Sequence, residues 1–196
     1  EGDRVVAYAG NFLKVKNVEV LPDLFHKIHE DFDLLMTEEK KEDISLKFWI
    51  VGDGKLRPGL EPLIRKAAGT DVVFWGNRPA DEMPDIMNCI DVLVLPSRNE
   101  GLPLVVMEAL SCGANVVGSD VGGIPEVIGK AYTVAFRKKY EGVTDYCGDE
   151  FVGKFAWKVT GLLNDPRSQE LSPDFDWKRT AENELFLIER TLDAVE

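Results

Sequence analysis

The sequence predicts an α/β fold: a Rossmann-like, doubly wound parallel sheet of six strands with helices on both faces. Two observations predict it. Apolar runs of strand length alternate along the chain with segments of helical apolar spacing, the pattern of strands buried on both sides and joined by crossover helices. The loops that follow five of these runs hold short polar segments, each with glycine, where open α/β sheets collect their ligands.

The elements follow in order. A strand at residues 4–9 leads through a polar loop into a helix whose Leu21, Leu24, Phe25, Ile28, Phe32 and Leu35 share one face. The charged run 37–43 continues that helix or forms a surface loop. Further strands are expected at 46–51, 72–75, 92–95, 115–118 and 132–136, and further helices at 58–68, 80–88, 103–111, 124–128 and 151–163. Residues 137–149 carry no clear period and read as a loop beside the ligand or a decoration of the fold. A last helix is expected across 176–196, with Trp177, Ala181, Leu185, Ile188, Leu192 and Val195 on one face.

Composition narrows the function. The 196 residues are 44% hydrophobic and 30% charged, which suits one soluble domain, taken as residues 1–196. A net charge of −12 argues against nucleic acid as a partner, because phosphate-backbone binding needs dense Lys and Arg. The odd count of cysteines lacks metal-ligand spacing; Cys89 and Cys112 lie in apolar segments and are expected in the core as reduced thiols, which favours the cytoplasm. No apolar run approaches the ~18 residues of a membrane span. The chain starts at Glu1 and enters a strand within four residues, which reads as a fragment of a longer protein.

Most of the chemistry sits in residues 96–110. The buried strand Val92-Leu93-Val94-Leu95 ends in a polar loop, Pro96-Ser97-Arg98-Asn99-Glu100-Gly101, and a helix opens near Pro103, which suits a first helical position. The amides from Gly101 through Leu102 to Leu104 are then unpaired and face the loop mouth, an anion site suited to phosphate. Glu100 stands just before this helix and Glu108 inside it. Two carboxylates beside a phosphate cradle fit a ligand that also carries hydroxyls or developing positive charge, such as a nucleotide-sugar. Read blandly, both glutamates would be a dipole partner and a solvated face.

Four other loops follow strands: Gly10-Asn11 to Lys16-Asn17, Gly52-Asp53-Gly54, Gly76-Asn77-Arg78 and Asp120-Val121-Gly122-Gly123. None of them is GxGxxG, so a dinucleotide fingerprint is absent. Each could be an ordinary turn. Glu126 reads as a capping residue, and His26 and His29 fall in the first helix, away from every loop.

Pro96-Ser97-Arg98-Asn99-Glu100-Gly101, with Glu108-Ala109 after it, resembles the Glu-x7-Glu signature of retaining glycosyltransferases of the group 1 type (family 4, GT-B fold). The resemblance covers nearly the whole chain, strongest from Leu46 to Glu126, and maps onto the C-terminal, nucleotide-sugar-binding half of such an enzyme. It implies hexose transfer from a nucleoside diphosphate sugar (a UDP-sugar or GDP-mannose, for example) with retained configuration and without metal or other cofactor. It assigns Glu100 and Lys16 to catalysis. Glu108 would hold the ribose, Gly10, Asn11, Gly52, Gly101, Leu102 and Leu104 would surround the donor, and Asn77 and Arg78 would meet the nucleobase. The N-terminal acceptor domain would be missing, and any membrane contact would run through it. In the family's first loop an Arg stands where this chain has Asn11 and a Gly where it has Asn17. A non-catalytic nucleotide-sugar-binding module and a nucleotide-sugar epimerase are the alternatives.

Overall fold

The computed structural model describes residues 2–39, 44–69, 71–140, 143–164, 168–172 and 175. Six strands form one sheet: β1 (Asp3–Ala9), β2 (Ser45–Val51), β3 (Val72–Gly76), β4 (Val92–Leu95), β5 (Asn115–Ser119) and β6 (Thr133–Val134). Every pairing within it is parallel, and the spatial order is β3-β2-β1-β4-β5-β6. The expected doubly wound sheet is therefore present. Its order reverses between β1 and β4, where Val6 lies beside Val92 and Ala7 beside Leu93. Crossovers leave that junction in opposite directions and open a crevice above the strand ends.

Helices α1 (Leu21–Glu39), α2 (Arg57–Ala67), α3 (Met83–Met87), α4 (Leu104–Ser111), α5 (Ile124–Ile128) and α6 (Asp149–Asn164) cover the two faces. The pleat of β1 divides its residues between two cores. Val6 and Tyr8 join α1 and α6 on one face, with Phe25 stacked on Phe48 at 4.3 Å. Val5, Ala7 and Ala9 join α3, α4 and α5 on the other.

Several elements differ from expectation. The helix expected at 80–88 is only Met83–Met87, because residues 79–83 form turns in which Glu82 N–H donates to Pro79 O and Met83 N–H to Ala80 O. Pro103 caps α4 in an extended conformation and does not enter the helix. Within the segment that had no clear period, Arg137–Tyr140 (β7) and Val143–Asp145 (β8) pair as an antiparallel hairpin apart from the main sheet. Cys89 is exposed and Cys112 half-buried, so the expectation of two core thiols fails: Met87 and Ile90 turn inward around Cys89 and leave it on the solvent side. The charged run is helical as far as Glu39; residues 40–43 and the helix expected across 176–196 lie outside the described residues.

The expected sixth strand is short, pairing with β5 only at Gly118 and Ser119. Gln169 completes the open, buried edge in its place. Its Oε1 accepts the N–H of Val116 and its Nε2 donates to the carbonyl of Val116, each at 3.0 Å. Its own N–H donates to Asn115 Oδ1 at 3.0 Å. Gln169→Leu would leave both Val116 groups buried and unpaired, at about 1–3 kcal/mol each. A loss of about 2–4 kcal/mol in urea unfolding is the expected result. A variant as stable as the parent would mean that water reaches this edge.

Candidate active site

The loops after β1, β2 and β3 are tied into one wall. Gly10 N–H donates to Val51 O at 2.9 Å, Gly52 N–H to Gly76 O at 2.7 Å, and Phe12 N–H to Asp53 O at 2.9 Å. Contact is so close at Gly52 that a Cβ there would lie 2.2 Å from the carbonyl oxygen of Gly10. Below the wall, the buried Tyr8 hydroxyl donates to Asn11 O at 3.0 Å. Burial, aided by the Glu100 carboxylate, holds this phenol above its ordinary range, so it remains a neutral donor.

Lys16 ends a short 3-10 turn, Lys14–Lys16, and the chain leaves it through Asn17 in the left-handed conformation (φ 55°). Asparagine tolerates that region through its short polar side chain. The replacement of glycine by Asn17 thus keeps the backbone path. Across the switch point, Glu100 Oε1 accepts from Lys16 Nζ at 2.6 Å and from Ser97 Oγ at 2.7 Å. The pair is partly sheltered, with 25% of the Lys16 side chain and 10% of the Glu100 side chain exposed. The loop after β5 supports it: Gly123 N–H donates to Gly101 O at 2.9 Å, and Ser119 Oγ donates to Ser97 O. No side chain caps α4. Its first amides are therefore left open beside the Lys16–Glu100 pair, as an anion would require.

These loops enclose a cleft of about 590 Å³. It is lined by Gly10, Asn11 and Lys16 from the first loop, Gly52 from the second, Asn77 and Arg78 from the third, and Glu100, Leu102 and Leu104 from the fourth. Gly101 lies exposed between Glu100 and Leu102. Arg78 is oriented: its Nε donates to Trp75 O at 3.0 Å and its guanidinium stands 5.4 Å from the Trp75 ring. Glu108 does not line this cleft. It faces an adjoining cavity of about 380 Å³ between α3 and α4, and Met83 and Leu104 line both spaces. Its carboxylate is exposed, with no hydrogen-bond or ion-pair partner among the described residues. Burial and the nearby Glu108 charge raise the Cys112 thiol above its ordinary range, so it is a poor nucleophile. Among the described residues no three His, Cys, Asp or Glu side chains gather as a metal site, and no helix is long and apolar enough to cross a membrane.

Sequence reasoning passed over Tyr8, Ser97 and Ser119. Each sits at the end of an apolar strand, where a lone polar side chain aimed at the crevice was the available signal.

The family described as "Glycosyl transferases group 1" matches residues 3–165. The chain belongs to this family. It is 32% identical over 129 residues to N-acetyl-alpha-D-glucosaminyl L-malate synthase of Bacillus anthracis, covering 65% of this chain and 30% of that protein. It is 29% identical over 185 residues to the sulfoquinovosyl transferase of Arabidopsis thaliana, covering 89% of this chain and 31% of that protein. Among solved structures, the pneumococcal O-GlcNAc transferase GtfA, in complex with UDP and GlcNAc, superposes with a TM-score of 0.62 at 22% identity. That match covers 84% of this chain and 30% of GtfA, and it speaks for the fold. The group 1 domain spans about a third of the length of the first curated relatives, as in the 33% of an uncharacterized glycosyltransferase of Methanocaldococcus jannaschii.

Proposed function

We propose that this group 1 domain holds a nucleoside diphosphate sugar in the cleft, and that the protein it serves is a retaining, metal-independent hexosyltransferase. One observation carries the reading. Lys16, Glu100 and the uncapped start of α4 converge from opposite sides of the switch point. As the bond from sugar to diphosphate breaks, its electron pair leaves with the phosphate. Lys16 and the α4 amides meet that negative charge without a divalent ion. The sheltered Glu100 carboxylate faces the positive charge that develops on the sugar. Glu108, unpaired one turn further along α4, is placed to accept hydrogen bonds from ribose hydroxyls.

A thermal-shift screen against UDP-, GDP- and ADP-sugars tests the reading. One nucleotide class is expected to raise the melting temperature, and no shift with any of them would overturn it. The 196-residue chain is expected to bind donor without transferring sugar, because the acceptor surface belongs to a second domain. Glu108→Ala should weaken nucleotide binding about tenfold or more, from the ~1.5–3 kcal/mol of a charge-assisted hydrogen bond. Unchanged calorimetric affinity would leave Glu108 as a solvated helix face.

Asn11 favours a second reading, a donor-binding module without turnover. It lines the cleft but brings no charge where the family carries Arg. Transfer by the whole protein, acceptor half included, separates the two.

A further inference from the structure

Lys16 and Glu100 belong to loops 84 residues apart, and their ion pair is a poor device for keeping those loops together. A bound diphosphate competes for Lys16, so the pair is lost when the spacing matters most. Three other contacts join the same two loops, all of them through Arg98, two residues before Glu100, and a fourth ties Arg98 to the segment after β8. Its backbone N–H donates to Val15 O at 2.8 Å. Its Nε donates to Asn17 Oδ1 at 2.9 Å, and its Nη2 to Glu19 Oε2 at 2.8 Å. Its guanidinium lies 4.7 Å from the ring of Tyr146, whose carbonyl accepts from Asn17 Nδ2 at 2.8 Å. Asn17 is fully buried and held in the left-handed conformation. The planar fork of Arg98 therefore grips the residue directly after Lys16, and the strand end beyond β8 braces both.

We propose that Arg98, with Asn17 as its buried acceptor, is a positioning residue. It sets the spacing of the loops that carry Lys16 and Glu100 and keeps it after the Lys16 ammonium has moved to a phosphate. Arg98 touches no ligand itself. The clamp stands on geometry alone, while its effect on nucleotide binding rests on the donor-binding reading.

Two variants break the clamp by different routes. Arg98→Met keeps an apolar stem and loses every side-chain donor. Asn17→Gly keeps the left-handed backbone and loses the acceptor. Calorimetry would compare UDP, GDP and ADP with their monophosphates. For the nucleotide that binds, each variant is expected to lower diphosphate affinity about tenfold and monophosphate affinity less than twofold, since Lys16 serves the distal phosphate. Combined with Lys16→Met, neither should have a further effect. Arg98→Lys, charged but unable to reach both acceptors, should recover only part of the loss. Equal losses for diphosphate and monophosphate, or losses that add to that of Lys16→Met, would show a merely structural residue and overturn the proposal.

A second measurement needs no nucleotide. The coupling between Lys16 and Glu100, read from a Lys16→Met, Glu100→Gln cycle in urea, should fall below half its value in the Arg98→Met background. A coupling that survives undiminished, or is absent in the parent, overturns the clamp. If the parent binds no nucleotide while this coupling collapses as expected, the donor-binding reading fails and the clamp stands.

Discussion

Gly122→Ala is expected to destabilise the domain by about 3 kcal/mol or more and to remove nucleotide binding from the folded fraction that remains. Gly122 has φ +53°, where a side chain costs about 1–2 kcal/mol. The larger cost is steric. A Cβ at Gly122 would lie 1.7 Å from the carbonyl oxygen of Glu100 and 2.7 Å from its carbonyl carbon. Both are backbone atoms, so no rotamer change relieves the contact and the loop carrying Glu100 must move. Gly123 closes off the adjacent route, because its own Cβ would lie 2.5 Å from Gly101 O. Overpacking adds about 1–3 kcal/mol to the backbone term. Gly161, in α6, is the control: nothing lies within 4 Å of its Cβ position, and alanine there should be neutral or stabilising by about 0.5–1 kcal/mol. Urea unfolding of both variants checks the expectation. A Gly122→Ala protein as stable as Gly161→Ala would mean that the two loops are not in contact.

The sheet was legible because parallel strands buried on both faces are written as uninterrupted apolar runs, of which Val92-Leu93-Val94-Leu95 is the plainest. The glycine pair at 122–123 was legible as a turn, but not as the surface on which Glu100 rests. That meaning depends on the loop after β4 folding back onto the loop after β5. The same limit hid the edge repair by Gln169, which lies 53 residues from the Val116 it pairs with. No local signal joins a side-chain amide to a strand edge that a short neighbour has left open. Cys89 misled for a different reason. An apolar window of sequence does not say which of its residues turns outward. Glu100 could be singled out from its loop and Lys16 from the family resemblance, whereas their direct contact and the grip of Arg98 on Asn17 are products of the tertiary fold. The left-handed path that lets Asn17 stand in place of glycine (φ 55°) shows only in the folded chain.

The contact between Lys16 and Glu100 gives their substitutions opposite signs. Lys16 Nζ is held at 2.6 Å from Glu100 Oε1, so a diphosphate that takes Lys16 must break or share that ion pair. Glu100→Gln releases Lys16 and removes a negative charge from beside the phosphate. Nucleotide affinity should then hold or rise by a few-fold, about 1 kcal/mol at most for a partly exposed pair. Lys16→Met removes the cation and leaves Glu100 with Ser97 as its one side-chain donor among the described residues, so the same affinity should fall about 10- to 100-fold. The double variant should bind better than Lys16→Met alone, because the uncompensated carboxylate is gone. Transfer by the whole protein should respond differently. On the proposed function, both single variants lose a group that acts on charge developing in the transition state, which is worth about 10²–10³ in rate for one well-placed donor. Glu100→Gln would therefore bind donor at least as well as the parent and turn it over far more slowly. Calorimetry with nucleotide, set beside turnover by the whole protein, separates these outcomes. Parallel losses of nucleotide binding in both single variants would mean that Glu100 holds the nucleotide and does not act on the sugar.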